Sequence, residues 1–159
     1  MQWVVLIAAI IAFLDQLTKW LLVHFIGPEE SRVVIAGFFE LVQVQNTGAA
    51  WGMFKDYNFV LTAVSVLAVL ALYFFRQSLQ LQRRGPRVAL GLIAGGIIGN
   101  LIDRIRVHHV IDFLYFYVGQ YHWPAFNVAD SAICVGVGLY IILSWRGDRQ
   151  HHANTVADA

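Results

Sequence analysis

The chain has 159 residues, room for one compact domain. Its hydrophobic share of 58% and mean hydropathy of +0.62 exceed the ~45–50% apolar content of soluble domains, which excludes an ordinary water-soluble fold. A formal charge of +1, from 11 basic and 10 acidic residues, gives no footprint for nucleic acid, and a single cysteine, Cys134, excludes an intrachain disulfide.

Four segments approach the ~20 apolar residues that a helix needs to cross a bilayer. The first runs from Trp3 to about Phe25. It lacks a basic leading region and a small-residue cleavage site, so it reads as a retained anchor. Asp15 and Lys19 lie four apart within it, acid first, and share a helix face on which they can pair. Next comes Gly37 to Gln45, rich in β-formers and ending at Asn46-Thr47-Gly48, which predicts one or two short strands and a turn. The second span covers about Phe59 to Phe75, and a link carrying Arg76, Arg83, Arg84 and Arg87 follows it.

The third span runs from Val88 to about Ile105. Gly91, Gly95 and Gly99 recur along one face of it, with Gly96 beside them, and predict close helix packing. Near its end Asn100 and Asp103 face the same way, and Arg104 is expected to hold Asp103 ionised. Asp112 follows His108-His109-Val110-Ile111 and precedes a second β-like run, Phe113 to Val118, closed by Gly119-Gln120. Together these outer segments predict a small sheet capping the helices. Trp51, Tyr115, Tyr117, Tyr121 and Trp123 suit a membrane interface. The fourth span, from about Val128 to Trp145, opens on Asn127-Val128-Ala129-Asp130, the pattern of a helix cap with an acid three positions on. Cys134 lies between Ile133 and Val135 and is expected to be a buried packing thiol. Residues 1–147 then form one membrane domain, and the polar stretch 148–159 a disordered cytoplasmic tail.

Basic residues favour the cytoplasmic side of a membrane. The arginine-rich link, with Arg146 and Arg149 after the fourth span, puts both termini in the cytoplasm and the 26–58 and 106–127 regions outside. A carboxylate at the centre of a membrane helix costs ~2.5–3.5 kcal/mol on insertion scales, so Asp15, Asp103, Asp112 and Asp130 need partners or a use. Asp112 and Asp130 fall where membrane meets water. If tertiary folding joins them, both cannot ionise cheaply, and they share a proton. The ionised one can then activate water, and the neutral one can polarise an amide carbonyl, which hydrolyses a peptide without a covalent intermediate, cofactor or metal. His108, His109 and His122 have no HExxH spacing and read as interfacial polar residues. A small proton-coupled carrier is the alternative that Asp15 and Lys19 would suit. No inverted repeat relates the halves, however, and the acids gather at one face. A structural assembly factor would leave Asp112 without a reason.

Five motifs in order resemble the bacterial prolipoprotein signal peptidases, or signal peptidase II. They are Leu14-Asp15-Gln16-Leu17-Thr18-Lys19, Asn46-Thr47-Gly48-Ala49-Ala50-Trp51-Gly52, Gly99-Asn100-Leu101-Ile102-Asp103-Arg104, Val110-Ile111-Asp112-Phe113 and Phe126-Asn127-Val128-Ala129-Asp130-Ser131. The family more often has phenylalanine where Trp51 stands. The resemblance implies an α-helical membrane protein: a four-helix transmembrane bundle with a small periplasmic β-sheet cap and a short amphipathic helix. It implies an inner-membrane aspartyl endopeptidase that cuts diacylglyceryl prolipoproteins before the lipidated cysteine, near the periplasmic face. Asp112 and Asp130 inherit the catalytic roles. Asp15, Lys19, Asn46, Gly48, Asn100, Asp103, Arg104, Asn127 and Ala129 inherit substrate-binding or supporting positions. Implied partners are prolipoprotein substrates, membrane lipids and globomycin-type inhibitors, and the chain is expected to act as a monomer.

Overall fold

The computed structural model describes residues 1–28, 30–48, 53–54, 57–79 and 81–157, with side chains described as far as Arg146. Helix α1 (Gln2–Phe25) is an unbroken apolar run that stops at Ile26, whose extended backbone leads into Gly27-Pro28. Strands β1 (Ser31–Ile35) and β2 (Phe39–Asn46) form a hairpin turned at Gly37, where φ of +75° favours glycine. Helix α2 (Asn58–Phe74) continues as a single 3-10 turn, Phe75–Gln77. Helix α3 (Arg84–Arg106) returns and carries Pro86 in its first turn, where no backbone hydrogen bond is lost. Strands β3 (Val110–Val118) and β4 (Tyr121–His122) turn at Gly119, and α4 begins at Val128.

All four helices are long and apolar enough to cross a membrane. Helix α3 is central and packs against α1, α2 and α4. Its glycines explain how. A Cβ on Gly95 would lie 2.8 Å from Ala8 O of α1, and one on Gly96 would collide with Ala129 O of α4. The predicted groove therefore serves two neighbours.

The burial pattern is that of a protein solvated by lipid. Large apolar side chains such as Phe13, Phe59, Leu67 and Ile141 point outward, while the largest fully buried side chains are Lys19, Asn127, Asp15 and Asp112. Cys134 corrects an expectation: its thiol is exposed on the helix surface, not packed inside. An apolar run does not distinguish a face turned to lipid from one turned to protein.

The sheet runs β1-β2-β3-β4, antiparallel throughout. Strand β3 starts earlier than the β-like run suggested, so Asp112 lies on the strand. A bulge in β2 between Leu41 and Val44 sets Val44 opposite Asp112. Leu22 and Ile26 of α1 pack with Phe113, fastening the sheet to the bundle. Tyr115 and Tyr117 each stack on His122, so these predicted interface residues form one cluster. His108 takes φ +62° just past the α3 C-cap at Val107 and turns the chain into β3, a structural use for one of the paired histidines. Strand β1 was not expected at Ser31–Ile35, although Val33-Val34-Ile35 is a β-branched run. No short amphipathic helix stands between β2 and α2 among the described residues. Trp51 and the rest of 49–52 lie outside them, as do 55–56. Helix α4 (Val128–Ala157) passes Gly147 without a break, so that position marks no helix end.

Candidate active site

Polar residues from α1, α3, α4, β2 and β3 meet in one layer at the sheet end of the bundle. Its hub is Lys19, only 2% exposed. An ammonium has three N–H donors and no acceptor. All three are used: Asp15 Oδ2 at 2.7 Å, Asp103 Oδ2 at 2.6 Å and Asn100 Oδ1 at 3.0 Å. The expected Asp15–Lys19 pair is present. The expected Arg104–Asp103 lock is not, because adjacent helical residues do not share a face. Lys19 takes that place from another helix. Arg104 instead points toward Gly48 O, 3.4 Å from Nη2, and the charges it interacts with most are Asp130 and then Asp112, ahead of Asp103.

The two buried acids of the hub hold neighbouring backbone. Asp15 Oδ1 accepts the Ala129 N–H at 2.9 Å, satisfying an orphan donor in the first turn of α4. Asp103 accepts the Ile111 N–H at 3.3 Å, which fixes β3 one residue before Asp112. Gln16 Nε2 adds bonds to Asp103 Oδ1 at 2.8 Å and Gly99 O at 3.1 Å. Sequence reasoning left Gln16 out of the site. Its place beside Asp15, three residues before Lys19, was the available signal.

Asn100 and Asn127 connect this hub to Asp112 and Asp130, and Asn46 holds Asp112 from β2. Asn100 must turn Oδ1 to Lys19, so its Nδ2 points to Asp130 Oδ1, at 2.8 Å. Asn127 accepts the Asp130 N–H on Oδ1 at 2.9 Å, so its Nδ2 donates to Asp112 Oδ1 at 2.7 Å and to Asn100 Oδ1 at 3.1 Å. Asn46 accepts the Gly48 N–H at 2.9 Å and donates Nδ2 to Asp112 Oδ2 at 2.8 Å. The Asn127 N–H also donates to Asp130 Oδ2 at 3.2 Å, completing the predicted capping box. The structure thus gathers all eleven expected site residues. Asp112 and Asp130 approach through a shared asparagine network, far apart in sequence as they are.

The two carboxyls differ in surroundings. Asp112 is 2% exposed and has no cation among the described residues bonded to it; burial first, and the charge of Asp130 second, push it up to about 7 against the bonds from Asn46 and Asn127. Asp130 is half-buried, in the first turn of α4, where the helix dipole favours negative charge. One buried, neutral-leaning carboxyl beside a more open one suits proton transfer in both directions.

A family model described as "Signal peptidase (SPase) II" matches residues 7–146. The chain belongs to the signal peptidase II family. The lipoprotein signal peptidase of Syntrophotalea carbinolica is 47% identical over 93% of this chain and 94% of its own. That of Symbiobacterium thermophilum is 45% identical over 87% and 91%. A solved bacterial membrane enzyme, obtained by the in meso method, superposes with a TM-score of 0.83 at 31% identity, covering 90% of this chain and 87% of that one. As a signal peptidase II, the chain is a bacterial membrane protease that removes signal peptides from prolipoproteins.

Proposed function

We propose that this signal peptidase II is an aspartic endopeptidase whose catalytic pair is Asp112 and Asp130, and that it cuts just before the diacylglyceryl cysteine. The observation that carries the reading is the convergence of both carboxyls on Asn127, whose Nδ2 donates to Asp112 and whose backbone N–H donates to Asp130, with Asn100 Nδ2 also donating to Asp130; Asp112 is buried and Asp130 half-buried.

Asp130 takes a proton from a water molecule, and the resulting hydroxide oxygen bonds to the scissile carbonyl carbon. Asp112 gives its proton to the carbonyl oxygen, producing a neutral tetrahedral diol. Asp130 then passes its proton to the leaving nitrogen as the C–N bond breaks, and Asp112 regains a proton as the carbonyl reforms. The products are a signal peptide ending in a carboxyl group and a lipidated cysteine with a free amine. Asn46 and Asn127 bond both oxygens of Asp112 and orient it. The arginine-rich end of the bundle lies opposite this site, which supports cytoplasmic termini and a periplasmic active site under the sheet. Acyl chains contribute ~0.8 kcal/mol per buried CH₂, so a lipidated cysteine is held at headgroup depth, the depth of the pair. A monomer supplies every group invoked, and a globomycin-type peptide competes for the same position.

The test is cleavage of a diacylglyceryl precursor peptide by the purified full chain in detergent, run in ¹⁸O-water. Release of the signal peptide with one ¹⁸O in its new carboxyl group is expected. Intact precursor, with the protein folded, contradicts the assignment.

A further inference from the structure

At the other end of the bundle an apolar groove of about 390 Å³ opens between α1 and α2, floored by α3. It exists because α2 packs mainly on α3 and leaves α1 uncovered along this side. Val5 and Ala9 form one wall, Leu72 the other, and Leu90 and Ala94 the floor. The volume is that of a ligand site, ~300–1,000 Å³. Its lining extends to Ala12, three residues before Asp15, and to Ile98, two residues before Asn100, and includes neither polar residue. No described residue of α4 or of the sheet lines it, and Asp112 and Asp130 are not among its lining residues.

Among the described residues the groove carries one charged side chain, Arg76, on the 3-10 turn after α2, and Met1 lines the same end. Its Nη1 donates to Tyr73 O at 2.7 Å and its guanidinium lies 4.4 Å over the Tyr73 ring, which holds the cation at the opening. Its other N–H groups carry no bond to the described residues. A cation fixed above an apolar slot between membrane helices matches a phosphate head with an acyl chain below it. The same cation repels the basic leading region of a signal peptide, and the slot does not reach the catalytic pair, so the substrate is disfavoured as the occupant.

We propose that this groove binds one anionic phospholipid, its acyl chain between α1 and α2 and its phosphate on Arg76. The ligand is a lipid of the leaflet facing the arginine-rich end, distinct from the lipidated substrate.

Native mass spectrometry of the full chain in detergent tests it, with equimolar phosphatidylglycerol and phosphatidylcholine of identical acyl chains. One retained phosphatidylglycerol is expected, favoured at least fivefold. Arg76→Gln should erase the preference, whereas Arg84→Gln should keep it. Ala94→Phe, filling the floor, should expel both lipids, and Ala9→Phe tests the same point from the opposite wall should the first variant not fold. Equal retention of the two lipids, or a preference that survives Arg76→Gln, overturns the proposal. Displacement of the lipid by a precursor peptide also overturns it and assigns the groove to the signal peptide instead.

Discussion

An asparagine amide carries an acceptor and two donors on one plane, so fixing one end fixes the other. At Asn46, Asn100 and Asn127 the oxygen meets a group that can only donate: the Gly48 N–H, the Lys19 ammonium and the Asp130 N–H. Each amide nitrogen is thereby aimed at a carboxyl group. The raised titration of Asp112 has a stability consequence with a definite sign. Below pH ~4 the group is protonated in both folded and unfolded chains, and burial carries no penalty. As pH rises toward about 7, only the unfolded chain ionises freely, so folding is progressively disfavoured, and the loss levels off above about 7. Between pH 5 and pH 8 the wild type should lose several degrees of melting temperature in detergent that Asp112→Asn does not lose. Parallel pH curves for the two proteins would refute the burial argument. The Lys19–Asp103 contact was not legible in the sequence, since nothing local specifies which helix faces which. The misdirection of Arg104 was legible, because one helical step from Asp103 turns it away.

At the scale of elements, the site depends on how closely α3 and α4 approach. Gly96 touches the carbonyl of Ala129, the residue before Asp130, while a Cβ on Gly138 meets open space. Gly96→Ala should therefore push the start of α4 away, destabilise by ~1–3 kcal/mol and lower kcat at least tenfold. Gly138→Ala should leave both melting and turnover near wild type. Equal effects from the two substitutions would contradict the packing account. The spans were readable to within a few residues at most ends, because a membrane helix announces itself by length and apolarity. Strand β1 was not, because all five of its residues are exposed and show no alternation between an inner and an outer face. The outward turn of Cys134 was hidden for a related reason: lipid and protein interiors favour the same residues.

At the scale of the whole molecule, buried charge among the described residues is confined to one layer. Asp15, Lys19, Asp103 and Asp112 are all buried at the sheet end, and the other buried side chains of the described helices are small or apolar apart from Asn100. A salt-bridged hub of this kind is weak evidence for stability but strong for geometry, since removing one partner strands the others. It ties α1, α3, α4 and β3 together around the two acids, which is why motifs scattered from Asp15 to Asp130 meet in one layer. The order of those motifs was visible in the sequence, and their meeting point was not. The most direct test of the central claim is the turnover of a diacylglyceryl precursor peptide by Asp112→Asn and by Asp130→Asn, each purified and folded. Both rates should fall by about 10³-fold or more, as expected when a proton carrier is removed. A near-wild-type rate in either variant would contradict it.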